Sequence, residues 1–186
     1  MKILIINNNT KHLDHLRSAL AEHDIEVRNY HPGTDFSCND KDLVVLSGGG
    51  GEGLEIHDEH KPGHLWYEDQ MRFIQSCQKP IVGICMGFEV ISRAFGAKVE
   101  KLSKGLEEFI EIKTTPAGKR VLAKAQLKQF EAHNWCVRKS PVEFDVLAES
   151  KTGIEIIKHK TRPILATQFH PEKGGTLKLQ QLLAYI

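Results

Sequence analysis

Ile81-Val82-Gly83-Ile84-Cys85-Met86-Gly87 is an apolar run that delivers a cysteine with a glycine two residues to either side. A helical pattern, Met86–Phe95, follows it, and Gly96 is placed to stop that helix. A buried strand turning sharply into a helix needs small residues beside the turn, because the backbone there is strained and its neighbours pack closely. The first N–H groups of the helix and its dipole favour a thiolate at the turn and lower the thiol pKa. Cys85 is therefore a candidate nucleophile. The plainer reading is a buried apolar cysteine at a strand end, and the motif alone does not separate the two.

Outward from this turn, the pattern is one of strands alternating with helices. Lys2–Ile6 reads as a buried first strand, Asn7–Thr10 as turn and N-cap, and Leu13, Leu16 and Leu20 mark one face of a helix. Ile25–Asn29 and Asp42–Leu46 read as the next strands, and a helix is expected over about Leu65–Cys77. This alternation predicts an α/β domain built on a parallel sheet. After Gly96 the predicted elements are short strands at Val99–Lys101, Glu108–Lys113, Leu127–Ala132, Asp145–Ala148, Ile154–His159 and Ile164–Gln168, with few helices between them. A last helix is expected over about Thr176–Ala184, and residues 1–186 read as a single domain.

Two further segments carry chemistry. Ile164–Glu172 is a strand-like run that ends in His170-Pro171-Glu172. In an extended chain, residues i and i+2 share a face, so Glu172 can accept the His170 N–H, fix its tautomer and stabilise the imidazolium. With ten histidines in the chain, the pair gains weight only beside Cys85. Leu43–Leu46 runs into Ser47-Gly48-Gly49-Gly50-Gly51. Bare backbone there lets N–H groups point into a site and stabilise an oxyanion, with Gly49 as one donor and Met86 as the other. No Gly-Lys-Ser/Thr follows, which disfavours a phosphate loop.

Ser47-Gly48-Gly49, Gly83-Ile84-Cys85-Met86-Gly87 and Gln168-Phe169-His170-Pro171-Glu172, in this order, resemble the class I glutamine amidotransferases over almost the whole chain. The resemblance implies a flavodoxin-like, mostly parallel sheet flanked by helices, with a small added β region in the second half. It also implies Cys85, His170 and Glu172 as catalytic residues, with glutamine or a related amide as substrate. The similarity is greatest to the glutaminase subunit or domain of GMP synthase, which implies ammonia passed to a synthase subunit in trans. By the same resemblance Gly50, Glu89, His133 and Asn134 fall at substrate-binding positions. The chain departs from the family at Glu89, where the family usually has Gln, at Ala132, where it has Ser, and at Gly50, often proline. A carboxylate cannot donate as an amide does, and near Cys85 it disfavours the thiolate. Two alternatives share the pattern: a γ-glutamyl or other amide hydrolase working alone, and a non-catalytic regulatory module.

The bulk properties exclude other classes. Lys and Arg number 25 against 24 Asp and Glu, scattered rather than clustered, so no nucleic-acid surface is expected. No segment has the apolar length of a signal peptide or membrane span, so no membrane association is expected and the cytoplasm is the default location. Cys38, Cys77 and Cys136 lack metal-ligand spacing and read as structural thiols. His57, Asp58, Glu59, His60 and His64 read as a solvated loop near the site entrance rather than a metal site, and Trp66/Tyr67 as helix packing. No metal or cofactor is expected. The chain ends soon after Glu172, so the acceptor chemistry is expected on a partner.

Overall fold

The structure, a computed structural model, describes residues 1–49 and 55–186. In chain order its elements begin with β1 (Lys2–Asn8), α1 (Leu13–Ala19), β2 (Asp24–Asn29) and β3 (Leu43–Gly49). A small hairpin of β4 (Glu59–Lys61) and β5 (His64–Leu65) precedes α2 (Glu68–Ser76), β6 (Ile81–Ile84) and α3 (Met86–Ala94). The second half holds β7 (Val99–Thr114), α4 (Pro116–Leu122), β8 (Gln126–Val137), β9 (Phe144–Glu149), β10 (Ile154–His159), β11 (Ile164–Thr167) and α5 (Leu179–Leu183).

Among the described residues, nine of these strands form one sheet in the order β2-β1-β3-β6-β11-β10-β9-β7-β8. The first five are parallel, in the doubly wound order that places a site at the carboxyl ends of the strands. The rest pair antiparallel. β1 explains the parallel half: Leu4 and Ile6 pack with Ile74, Phe88 and Ile91 of α2 and α3, whereas Ile3 and Ile5 pack with Leu16 of α1 and Leu179 of α5. Both faces are covered, so the strand is apolar throughout rather than alternating. A third cluster, including Leu122, Leu127, Leu147, Leu165 and Leu182, seats α4 and α5 on the antiparallel half.

Helix α3 stops as the sequence predicts. Gly96 has φ +88°, its N–H donates to Arg93 O, and the Ala97 N–H donates to Ser92 O, the paired bonds of a glycine-terminated helix. Several elements differ from expectation. The strands predicted at Val99–Lys101 and Glu108–Lys113 are one strand, β7, whose pairing with β8 is irregular between Lys101 and Leu106. The added β region is thus a continuation of the main sheet. Helix α4 is absent from the sequence-based expectation. Thr115 caps it by accepting from Gly118 N at 3.0 Å, with Pro116 at its first turn. The His-rich segment expected as a loop contains the β4–β5 hairpin, and α2 starts at Glu68 because His64–Leu65 belong to that hairpin. Among the described residues, no helix is long and apolar enough to cross a membrane.

Candidate functional site

Cys85 sits at the carboxyl end of β6 with φ +51° and ψ −106°, a region costly for a residue with a side chain. The surrounding fold imposes it. The Cys85 N–H donates to Thr167 O of β11 at 2.8 Å, and Cys85 O accepts from Glu89 N at 3.1 Å. A Cβ on Gly83 would lie 2.8 Å from the Gly87 backbone, and one on Gly87 would lie 2.3 Å from Leu46 O. The glycine spacing read from the sequence is therefore a packing requirement between α3, β6 and β3.

The thiol is buried, and Sγ donates to Ala132 O at 3.7 Å. Its pKa runs opposite to the sequence expectation. Burial raises it well above the ordinary value, Glu89, Glu131 and Glu172 add to the rise, and a backbone hydrogen bond from Met86 only partly opposes them. Helix-terminus stabilisation is present but outweighed.

His170 follows β11. Its backbone N–H donates to Phe130 O at 2.9 Å, and ring Nδ1 lies 2.7 Å from Glu172 Oε1. The pair meets because Pro171–Lys173 form a single 3-10 turn, rather than through an extended segment as expected. Glu172 as acceptor places the proton on Nδ1 and leaves Nε2 as a base. Nε2 is buried and has no hydrogen-bond partner among the described residues. A Cβ on Gly48 would lie 3.0 Å from His170 Cε1 and 3.5 Å from Cys85 Cβ. The space beside Gly48 is thus bounded by both side chains.

Gly49, Cys85, Met86, Glu89, His133 and Asn134 all border one cavity of about 400 Å³. A Cβ on Gly49 would fall 2.2 Å from Met86 Sδ and 3.0 Å from Asn8 O, so a side chain there would displace Met86 and press on the β1 backbone. Gly50 lies outside the described residues. Glu89 is 3% exposed, and its Oε1 accepts from Gln168 Nε2 at 2.9 Å. His133 borders the cavity, yet both its nitrogens face protein: Nδ1 meets Trp135 O at 2.6 Å, and Nε2 is 3.1 Å from Glu131 Oε2. Asn134 is exposed at the wall, with its Oδ1 against Gly105. At the mouth, Lys11 Nζ pairs with Glu107 Oε1 at 2.6 Å.

Over residues 4–185 the chain matches the family described as "Glutamine amidotransferase class-I". The chain belongs to the class I glutamine amidotransferases. A glutamine-hydrolyzing GMP synthase subunit from Methanothermobacter thermautotrophicus is 30% identical over 181 residues, covering 94% of this chain and 90% of that one. The corresponding Methanosarcina acetivorans protein is 28% identical, covering 98% and 93%. A solved Thermoplasma acidophilum structure, assigned to the same GMP synthase subunit, has a TM-score of 0.77 at 27% identity, covering 92% of this chain and 84% of that one. A glutamine amidotransferase from Thermotoga maritima shares the fold, with TM-score 0.73 at 16% identity, covering 92% and 76%.

Several residues of this amidotransferase site escaped the sequence. Asn8 and Gln70 bond each other (Gln70 Nε2 to Asn8 Oδ1, 2.8 Å), and Asn8 N donates to Ser47 Oγ at 2.8 Å, which pins the start of the glycine segment. His12 packs edge-on against His170, ring centroids 4.8 Å apart, and burial beside that ring lowers its pKa to about 4. Glu131 and Glu155 are fully buried. The Asn8–Ser47 contact follows from β1 pairing with β3, which alternation alone does not specify. Trp66 and Tyr67 join the core as expected, and Cys38, Cys77 and Cys136 are free and buried. Among the described residues, no group of His, Cys, Asp or Glu side chains converges to hold a metal ion.

Burial raises Glu89 from 4.5 to about 7. The folded state therefore holds this proton more tightly than the unfolded chain, and stability falls as pH rises from about 4.5 to about 7. Glu89→Gln should lose that dependence. Relative to wild type it should be stabilised at pH 8 by at most about 3 kcal/mol, with little gain near pH 4.5. Urea midpoints at both pH values test this, and an equal gain at both would assign the effect to packing.

Proposed function

We propose that this chain is a glutaminase subunit that hydrolyses the side-chain amide of glutamine and supplies ammonia to a separate synthase, as in a GMP synthase. One observation carries the reading. Cys85 and His170 follow adjacent parallel strands, a Cβ placed on Gly48 would lie 3.5 Å from the one side chain and 3.0 Å from the other, and Glu172 fixes the imidazole. Neutral His170 takes the thiol proton at Nε2 while Sγ attacks the carboxamide carbon. Backbone N–H groups of Gly49 and Met86 stabilise the oxyanion, worth about 3 kcal/mol for one donor. Collapse breaks the C–N bond, the His170 proton leaves with ammonia, and a γ-glutamyl thioester remains on Cys85. Water deprotonated by His170 then releases glutamate. A soluble cytoplasmic setting and a single functional domain accord with this role.

Glu89 fits glutamine binding in one protonation state. With its pKa near 7, the protonated carboxyl both donates and accepts, as the family's Gln does. A second reading follows from the ionised state: a carboxylate bordering the cavity favours a γ-glutamyl or other amide substrate that carries a cationic group there. Ammonia release from glutamine, followed by intact-protein mass spectrometry, tests the main proposal. A γ-glutamyl adduct on Cys85 is expected, and no adduct with no turnover, even with a synthase present, would sink it. Robust glutamine turnover that is unchanged in Glu89→Gln would remove the second reading.

A further inference from the structure

His12 is a buried histidine that the proposed reaction does not use. It stands at the N-cap of α1, where its backbone N–H donates to Thr10 Oγ1 at 3.1 Å and its carbonyl accepts from Leu16 N at 3.0 Å. The side chain makes no capping hydrogen bond, so the helix start does not depend on it. The ring instead packs against two others. It meets the His170 imidazole with centroids 4.8 Å apart and planes at 77°, and Phe130 of β8 at 6.2 Å and 83°. Phe130 in turn meets the His170 ring at 6.4 Å and 61°, and its carbonyl accepts the His170 backbone N–H. Three rings, from α1, β8 and the turn after β11, thus face one another edge-on. His12 is 7% exposed, and its Nε2 has no hydrogen-bond partner among the described residues. An unpaired buried nitrogen costs the fold stability, so Nε2 does not account for the residue's place there. The ring contacts do.

The His170 ring is tied at one atom, Nδ1, to Glu172 Oε1 at 2.7 Å. The χ2 torsion of a histidine is broad, so one bond at Nδ1 leaves the plane free to rock. We propose that His12 is a positioning residue whose ring, with Phe130, sets the plane of the imidazole that takes the Cys85 proton. Its charged and titratable neighbours are Lys11 and His15 on α1 and His170, Glu172 and Lys173 after β11. Burial holds the His12 pKa down to about 4, so at neutral pH the ring packs uncharged. This role rests on His170 as the base of the proposed hydrolysis, and one arm of its test uses no substrate.

The experiment compares wild type with His12→Ala, His12→Leu and His12→Phe. Under saturating glutamine, His12→Ala should lower kcat about tenfold, the most that one aromatic pair supplies, with KM changed less than about threefold. His12→Leu fills most of the space without a flat ring, keeps the test open if the alanine variant does not fold, and should behave alike. His12→Phe should restore kcat to within about threefold of wild type, because it keeps an edge-on ring. Without substrate, the nuclear Overhauser contact between His170 Hε1 and Gly48 Hα should be strong in wild type and His12→Phe, and weakened in the other two. Wild-type kcat in His12→Ala or His12→Leu overturns the proposal, and so does an unchanged contact in both. A His12→Phe variant as slow as His12→Ala also overturns it, since the ring nitrogens would then be what matters. If wild type does not hydrolyse glutamine but the contact weakens as described, the glutaminase reading fails and the positioning role stands.

Discussion

Under the proposed mechanism, Cys85→Ala is expected to reduce glutamine hydrolysis to background, a loss of at least about 10⁴-fold in kcat, because Cys85 is the thiol that borders the cavity. Stability should change little. Alanine keeps a Cβ and with it the same backbone strain at φ +51°. The thiol's described hydrogen bond, to Ala132 O at 3.7 Å, is weak. Glycine would relieve the strain and confuse the comparison, so alanine is the cleaner probe. Glu172→Gln should retain Cys85 alkylation yet lose about 10²- to 10⁴-fold in kcat, since an amide neither fixes the same tautomer nor stabilises the imidazolium. Ammonia release under saturating glutamine measures both. Alanine-variant turnover within tenfold of wild type would move the nucleophile elsewhere.

Gly87→Ala is expected to cost about 3 kcal/mol, at the upper end of overpacking penalties, and to lower the melting temperature by about 10 °C. The added Cβ would fall 2.3 Å from Leu46 O and 2.9 Å from Leu46 Cβ. Backbone cannot swing aside as a flexible side chain can, so α3 must move off β3. That displaces the start of α3 against Gly48 and Gly49, so activity should fall even in the folded fraction. Gly63→Ala is the control. Its φ of +77° is unfavourable for alanine, but no atom lies within 4 Å of the new Cβ, so a loss of only about 1 kcal/mol is expected. Equal urea midpoints for the two variants would remove the packing argument.

The parallel half of the fold was legible because its strands are buried on both faces. Runs such as Ile3–Ile6 and Val44–Leu46 carry no other reading at that length. β7 was harder, since exposed residues lie on both its faces and leave no alternation to mark its extent. Helix α4 hid between strand candidates because it is seven residues long, with its apolar side resting on β9. At the site, the elbow and the His-Glu pair were readable because the motifs are local. Glu131 and Glu155 were not. In a strand sequence a glutamate ordinarily marks the solvent face, and only pairing across distant strands brings these two together in the interior. The rise of the Cys85 pKa was hidden for the same reason, since the local helix terminus pointed the other way.

The Cys85 N–H bond to Thr167 O makes the nucleophile position and the His170 segment neighbours across a single rung of the sheet. That bond ties the Cys85 backbone to the strand that leads to His170. The chain between them, from α3 through β10, can change its loops or lengthen its β7–β8 ribbon without altering that gap. With both strands held in register, the coordinates left to rearrange are the rotamer of Sγ and the rotation of the imidazole. Under the proposed function, a synthase that activates hydrolysis would have only to reorient groups already in place, without bringing Cys85 and His170 together.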